Sequence, residues 1–288
     1  MGIISELINN MSVRGIKRKL PAYLEVIRPL RPVEPYTCVV DPRTFDDPRL
    51  LATIQVYGTL ETDPAFVNHV QAQLRSACSV IVHQERLPLF TIDGCTASKS
   101  SPRYRTLVQW GKSMKPEELR LPLLESPSDM LSRCLRHSFP KNSLRNYLVD
   151  HLSWTNHGRY LHNSDGSHHL ALAIALIHQL GTPDLHAIDA TVKKYVICRS
   201  TIKSLENIFG AYVIQSDEWY RLSNSLREYH IPYAHATLCH DRPIRDPAVA
   251  IFLDPDHSLT PLLRESFTYL ATKGSACQLS EWIAKFRH

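Results

Sequence analysis

From Leu170 to Ile177 the chain offers no polar face: Leu170, Leu172, Ile174, Leu176 and Ile177 are interleaved with Ala171, Ala173 and Ala175. A helix that is apolar on all sides is buried on all sides, and its alanines admit neighbours at close range. The pattern predicts a helix over about 168–180. Gly181 is placed to end it, because glycine takes the left-handed conformation of a helix C-cap without steric cost. A second helix is predicted over 64–77, where Phe66, Val67, Val70 and Leu74 recur at helical spacing behind Asp63-Pro64. Pro127 sits just inside the start of a third, capped helix over 126–135. Further helical spacing is read over 144–152, 200–209, 217–228, 259–270 and 279–286.

Apolar and β-branched runs bounded by turn residues predict strands over 37–41, 50–60, 79–83, 87–92, 105–110, 158–162, 185–188, 194–198 and 248–254. Strands interleaved with helices imply a mixed α and β fold (α/β or α+β). Its core is a buried alanine-rich helix on a small mixed sheet, with additional helices around it. Residues 1–36 read as a basic N-terminal arm, and 37–288 as a single domain with a helical C-terminal extension from about 200.

Composition narrows the function class only slightly. Hydrophobic content of 43% and charged content of 21% fit a folded globular chain and exclude global disorder. In the arm, Arg14, Lys17, Arg18, Lys19, Arg28 and Arg31 outnumber Glu6, Glu25 and Glu34, so more than half of the net charge of +5 sits there. Such an arm is a candidate grip on nucleic acid, with Arg133, Arg136, Lys141 and Arg145 as a second basic stretch. Aromatic residues interleave both poorly, so no single-strand stacking platform is read. The 7 cysteines are odd in number and none pair at Cys-x-x-Cys spacing. That argues against a disulfide framework or a zinc ribbon and for a reducing, cytoplasmic location. No signal-peptide pattern is read in residues 1–20, and no apolar run has membrane-spanning length.

The chemistry concentrates in Asn163-Ser164-Asp165-Gly166-Ser167-His168-His169, which opens onto the apolar helix. Gly166 tolerates positive φ, and Asp165 or Ser167 can cap the helix. The first amides of a helix lack intrahelical acceptors and the dipole adds positive charge there, so a phosphate or carboxylate is stabilised. His168 and His169 add ring donors that titrate near physiological pH. His168, His169 and Asp165 are the candidate catalytic residues. Gly166 and Ser167 are candidate phosphate ligands, with Arg159 and His162 on the preceding strand expected at the same pocket.

A strand, then Asp165-Gly166-Ser167-His168-His169-Leu170-Ala171, then Leu180-Gly181 and the apolar run Leu185-His186-Ala187-Ile188 resembles the nucleotide-binding core of the ParB/sulfiredoxin-like superfamily. In that group a Gly-x-His-Arg loop binds nucleotide phosphates ahead of an alanine-rich helix. Members include partition CTPases, sulfiredoxins, small-molecule kinases and nucleases. The resemblance spans Arg159 to Ile202 and aligns Gly166 and His168 with the motif's Gly and His. His169 stands where the family keeps arginine, which exchanges a permanent bidentate phosphate contact for a pH-dependent one. The resemblance implies a nucleotide- or phosphate-binding protein, a phosphotransferase or nucleotide hydrolase using a nucleoside triphosphate with magnesium.

Two other readings stay open. His157, His162, Asp165, His168 and His169 crowd one stretch and have ligand chemistry for zinc or another divalent ion, as in a metal-dependent hydrolase or nuclease. Asp254 and Asp256, after the strand over 248–254, are weaker metal or base candidates at a strand's C-terminal end. The non-enzymatic reading is an interaction or regulatory protein of mobile-element or phage origin. It predicts a well-formed cap with His168 or His169 packed into the core. No Walker A loop, Gly-x-Gly-x-x-Gly or Gly-x-Ser-x-Gly is present, which disfavours P-loop, Rossmann and α/β-hydrolase chemistry.

Overall fold

A computed structural model describes residues 29–30, 51–96, 104, 106–115, 126–139, 147–154, 158–163, 166–228, 230–238 and 247–285. The basic arm at Arg14–Lys19 and the strand read over 37–41 lie outside these residues. Where the sequence reading has one domain from residue 37, contacts within the chain fall into two compact units. One includes residues 51–79 and 197–285, the other 80–196.

The described helices are α1 (Pro64–Ser76), α2 (Leu107–Lys112), α3 (Pro127–Ser138), α4 (Ser167–Leu180), α5 (Arg199–Phe209), α6 (Ser216–Glu228), α7 (Thr260–Thr272) and α8 (Leu279–Ala284). The strands are β1 (Tyr57–Gly58), β2 (Cys78–Pro88), β3 (Gly94–Cys95), β4 (Tyr147–Leu152), β5 (Arg159–Leu161), β6 (Ala187–Ile197), β7 (Tyr212–Gln215), β8 (Tyr233–Thr237), β9 (Ala248–Leu253) and β10 (Cys277–Gln278). The fold is mixed α+β, with two five-stranded sheets among the described residues.

In the unit holding residues 80–196 the strand order is β2-β6-β4-β5-β3. β4 runs parallel to β6 and antiparallel to β5, which brings Val149 beside both Val192 and Leu161. These side chains share one core with Leu170, Ala173, Ile174 and Ile177 of α4. Burying each Leu or Ile in this way contributes about 1.5–3 kcal/mol. α2 and α3 close around α4. At its end, left-handed Gly181 lets the Thr182 amide turn back onto the Ile177 carbonyl at 3.2 Å.

Four local expectations change. The strand read over 105–110 is α2: the Thr106 hydroxyl accepts from the Gln109 amide at 3.1 Å, and Leu107, Trp110 and Gly111 turn to one buried side. The helix read over 144–152 contains β4, because pairing with β5 and β6 outweighs helical spacing in so short a run. The pairs of short strands read over 79–92 and 185–198 are the single long strands β2 and β6, β2 being followed by a 3₁₀ turn at Leu89–Thr91. Of the strand read over 50–60, only β1 forms.

In the unit holding residues 51–79 and 197–285 the strand order is β1-β8-β9-β7-β10, and every pairing is antiparallel. Tyr212, Ile214, Tyr233, Val249, Ile251 and Leu253 occupy one face by alternation and pack with Trp219 and Leu222 of α6 and Leu263 and Phe267 of α7. Phe66 of α1 meets Phe209 of α5 with ring centroids 5.6 Å apart. Beyond residue 200, where the pattern predicts a helical extension, β7 to β10 alternate with helices. Among the described residues, no helix is long and apolar enough to cross a membrane.

Candidate anion site at the start of a buried helix

β5 delivers the chain to the start of α4. Gly166 caps the helix with φ 78° and ψ 15°, the left-handed conformation that glycine enters without penalty. Its carbonyl accepts from the Leu170 amide at 2.9 Å, closing the first turn. The last turn of α3 lies directly against this cap. A Cβ at Gly166 would stand 3.4 Å from Cδ2 of His137 and 3.6 Å from Cα of Ser138. The Ser138 hydroxyl donates to the Gly166 carbonyl at 3.5 Å.

The two histidines of the heptad part company, as adjacent helical positions must. His169 stacks on His137 of α3, with ring centroids 3.8 Å apart and planes at 30°. His168 turns to α2 and meets the buried Trp110 ring edge-on at 5.1 Å. Ser167 is buried, at 4% exposure. The cap therefore joins a helix N-terminus, the Ser138 hydroxyl and two stacked imidazoles from different helices. Asp165 and His157 lie outside the described residues.

Arg159 and His162 are not brought together. Arg159 shares the α4 face of the sheet with Leu161 by alternation. Its guanidinium donates to the Thr91 hydroxyl at 3.0 Å and to Glu85 at 3.5 Å, and its amide donates to Asp93 at 2.9 Å. It stands in register with His151, which in turn is in register with Lys194. Burial, then the Arg159 and Lys194 charges, push the His151 imidazole below its ordinary pKa. His162 instead places Nε2 3.1 Å from a carboxylate oxygen of the buried Asp150.

Asp254 and Asp256 belong to the unit holding residues 197–285 and do turn chemistry there. The Asp256 amide donates to the Asp254 carboxylate at 3.0 Å, and the Thr260 hydroxyl donates to the Asp254 carbonyl. Among the described residues, no three His, Cys, Asp or Glu side chains gather as a metal site.

His137, Ser138, Trp110 and Asp150 were not singled out by sequence. His137 and Ser138 reach the cap only because α3 packs on α4, a contact that leaves no local signature. No curated protein and no solved structure matches the chain. A family model matches residues 82–261, more than half of the 288 residues, and that span contains β5, the Gly166 cap and α4. The chain therefore belongs to DUF6685, a family of unknown function.

Proposed function

We propose that this protein binds a phosphorylated small molecule at the N-terminus of α4, with a nucleotide as the ligand class. The observation that carries this reading is the His137–His169 stack, 3.8 Å between centroids, beside the left-handed Gly166 cap. Two imidazoles this close repel one another when both are protonated. An anion at the helix start offsets that repulsion and is itself favoured by the helix dipole. The ParB/sulfiredoxin-like resemblance of residues 159–202 supplies the nucleotide and its magnesium, and with them a phosphotransferase or nucleotide hydrolase activity. In this reading Gly166 and Ser167 present backbone to the phosphate, and His169 with His137 takes the role of the family's arginine. His168, turned to Trp110, holds the loop against α2.

Calorimetric titration with nucleoside triphosphates, with and without magnesium, and with inorganic phosphate tests this. A ligand that binds wild type at least about tenfold more tightly than a His137→Ala/His169→Ala variant is expected, the loss of two charge-assisted contacts. Equal binding by the two proteins, or none, refutes the site.

The second reading is a non-enzymatic interaction protein. Its support is His168, set edge-on to Trp110 at 5.1 Å, together with the buried Ser167. It expects no nucleotide binding and a lower melting temperature for His168→Ala.

A further inference from the structure

The unit holding residues 80–196 contains a cavity of about 390 Å³ away from the Gly166 cap, between the last two turns of α3, the end of β2 and the start of β6. That volume is within the range of small-molecule sites. Its floor is apolar: Leu89 is 2% exposed and Ile188 7%. Leu135 and Phe139 form the α3 wall, half-buried. Leu185 stands at the mouth, with 76% of its surface in water.

The polar part of the lining is Arg86, Arg136, Ser132 and His186, and its fixed charge is cationic. Arg86 of β2 and Arg136 of α3 both line the cavity, and among the described residues no carboxylate does. Neither arginine makes an ion pair with a described residue; the nearby Glu85 is engaged by Arg159 and His83. Two guanidinium groups over an apolar floor, with no acidic neighbour among the described lining residues, match a ligand with an apolar body and one anionic end. The guanidinium fork suits a carboxylate or phosphate head in two-point contact.

We propose that this cavity is a binding site for an amphipathic anion, an aliphatic chain ending in a carboxylate or phosphate. The head lies between Arg86 and Arg136 and the chain lies over Leu89, Ile188 and Phe139. The site is separate from the α4 cap and does not depend on that reading. His137 and Ser138 of α3 face the cap, whereas Leu135, Arg136 and Phe139 line the cavity.

Titration calorimetry with decanoate, decyl phosphate and decanol tests the proposal. Decanoate or decyl phosphate is expected to bind saturably at one site, and the tighter of the two identifies the head group. Decanol, with the same chain and no charge, is expected to bind at least about tenfold more weakly. Arg86→Gln/Arg136→Gln is expected to weaken the anions by at least about tenfold, and Ser132→Trp, on an exposed wall position, to abolish binding by filling the cavity. Unchanged melting temperatures for these surface variants show that the fold persists. Equal binding of decanol, equal binding by either variant, or no saturable binding of either anion overturns the proposal.

Discussion

Gly111 of α2 lies so close to Ala171 of α4 that an added Cβ would stand 2.2 Å from the Ala171 carbonyl oxygen and 2.7 Å from the Ala175 Cβ. The two helices meet backbone to backbone because Gly111, Ala171 and Ala175 have almost no side chains. Gly111→Ala is therefore expected to destabilise the protein, although alanine is the better helix former by about 1 kcal/mol. Overpacking costs about 1–3 kcal/mol, and the clash with a backbone carbonyl places this substitution at the upper end. A lowered urea midpoint with an unchanged slope is the expected outcome. An unchanged midpoint would show that α2 can move away freely.

Gly166→Ala tests the cap in the same direct way. At φ 78° an alanine is strained wherever its side chain goes, and here its Cβ also meets His137 at 3.4 Å. A loss of about 1 kcal/mol in stability is expected, with phosphate or nucleotide affinity weakened by about tenfold. A melting-temperature measurement and a titration on the same preparation separate the two effects. If affinity is unchanged while stability falls, the cap is structural and the anion site is not there.

Cys198 and Cys277 should differ sharply in reactivity. Cys198 caps α5. Its sulfur lies 3.2 Å from the Ser200 hydroxyl and 3.1 Å from that of Thr201, and hydrogen bonds from Ser200 and then Thr201 bring the thiol down to about 7. Burial pushes the Cys277 thiol up to about 11. Iodoacetamide labelling read by peptide mass is expected to modify Cys198 with a pH midpoint near 7 and to leave Cys277 unmodified at pH 8. Ser200→Ala/Thr201→Val should move that midpoint upward. Labelling of Cys277 ahead of Cys198 would contradict this assignment.

Much of the frame was legible because it rests on local signals. Asp63, Ser126 and Gly181 mark helix ends by their own chemistry, and each does so here. The uniform apolarity of Leu170 to Ile177 announces a buried helix without reference to any partner. What was missed depends on residues distant in the chain. Tyr147, Leu148 and His151 fit a helical spacing, but β4 is a strand because Ala187–Ile197 and Arg159–Leu161 supply its ladders. β8 carries alternating alanines and aromatics that make sense only once β9 lies beside it. The candidate site shows the same division. Gly166 and His169 can be picked out from their place before the helix, whereas His137 sits 32 positions away and becomes a partner only through helix packing.

The half-buried histidines His235 and His257 make acid sensitivity the last expectation. His235 lies among three rings, with centroids of Tyr57 and Trp219 at 5.9 Å and Tyr233 at 6.0 Å. Burial, then the Arg227 charge, lowers its pKa; burial lowers that of His257 against the opposing pull of Asp254. A lowered histidine pKa means that the unfolded chain takes up the proton first as pH falls through about 6.5. The histidine contribution to stability is thus at its plateau above that value and declines below it, until the folded-state groups also protonate. Glu61, whose pKa is lowered chiefly by its hydrogen bond to His230, acts only below its ordinary value of 4.5, so the window from pH 6.5 to 5 isolates the histidines. The urea midpoint is expected to be lower at pH 5 than at pH 7.5, and His235→Gln to narrow that difference. Coincident midpoints at the two pH values would mean that His235 stays solvated and chargeable within the fold. The ring cluster around it would then have to be looser than its distances imply.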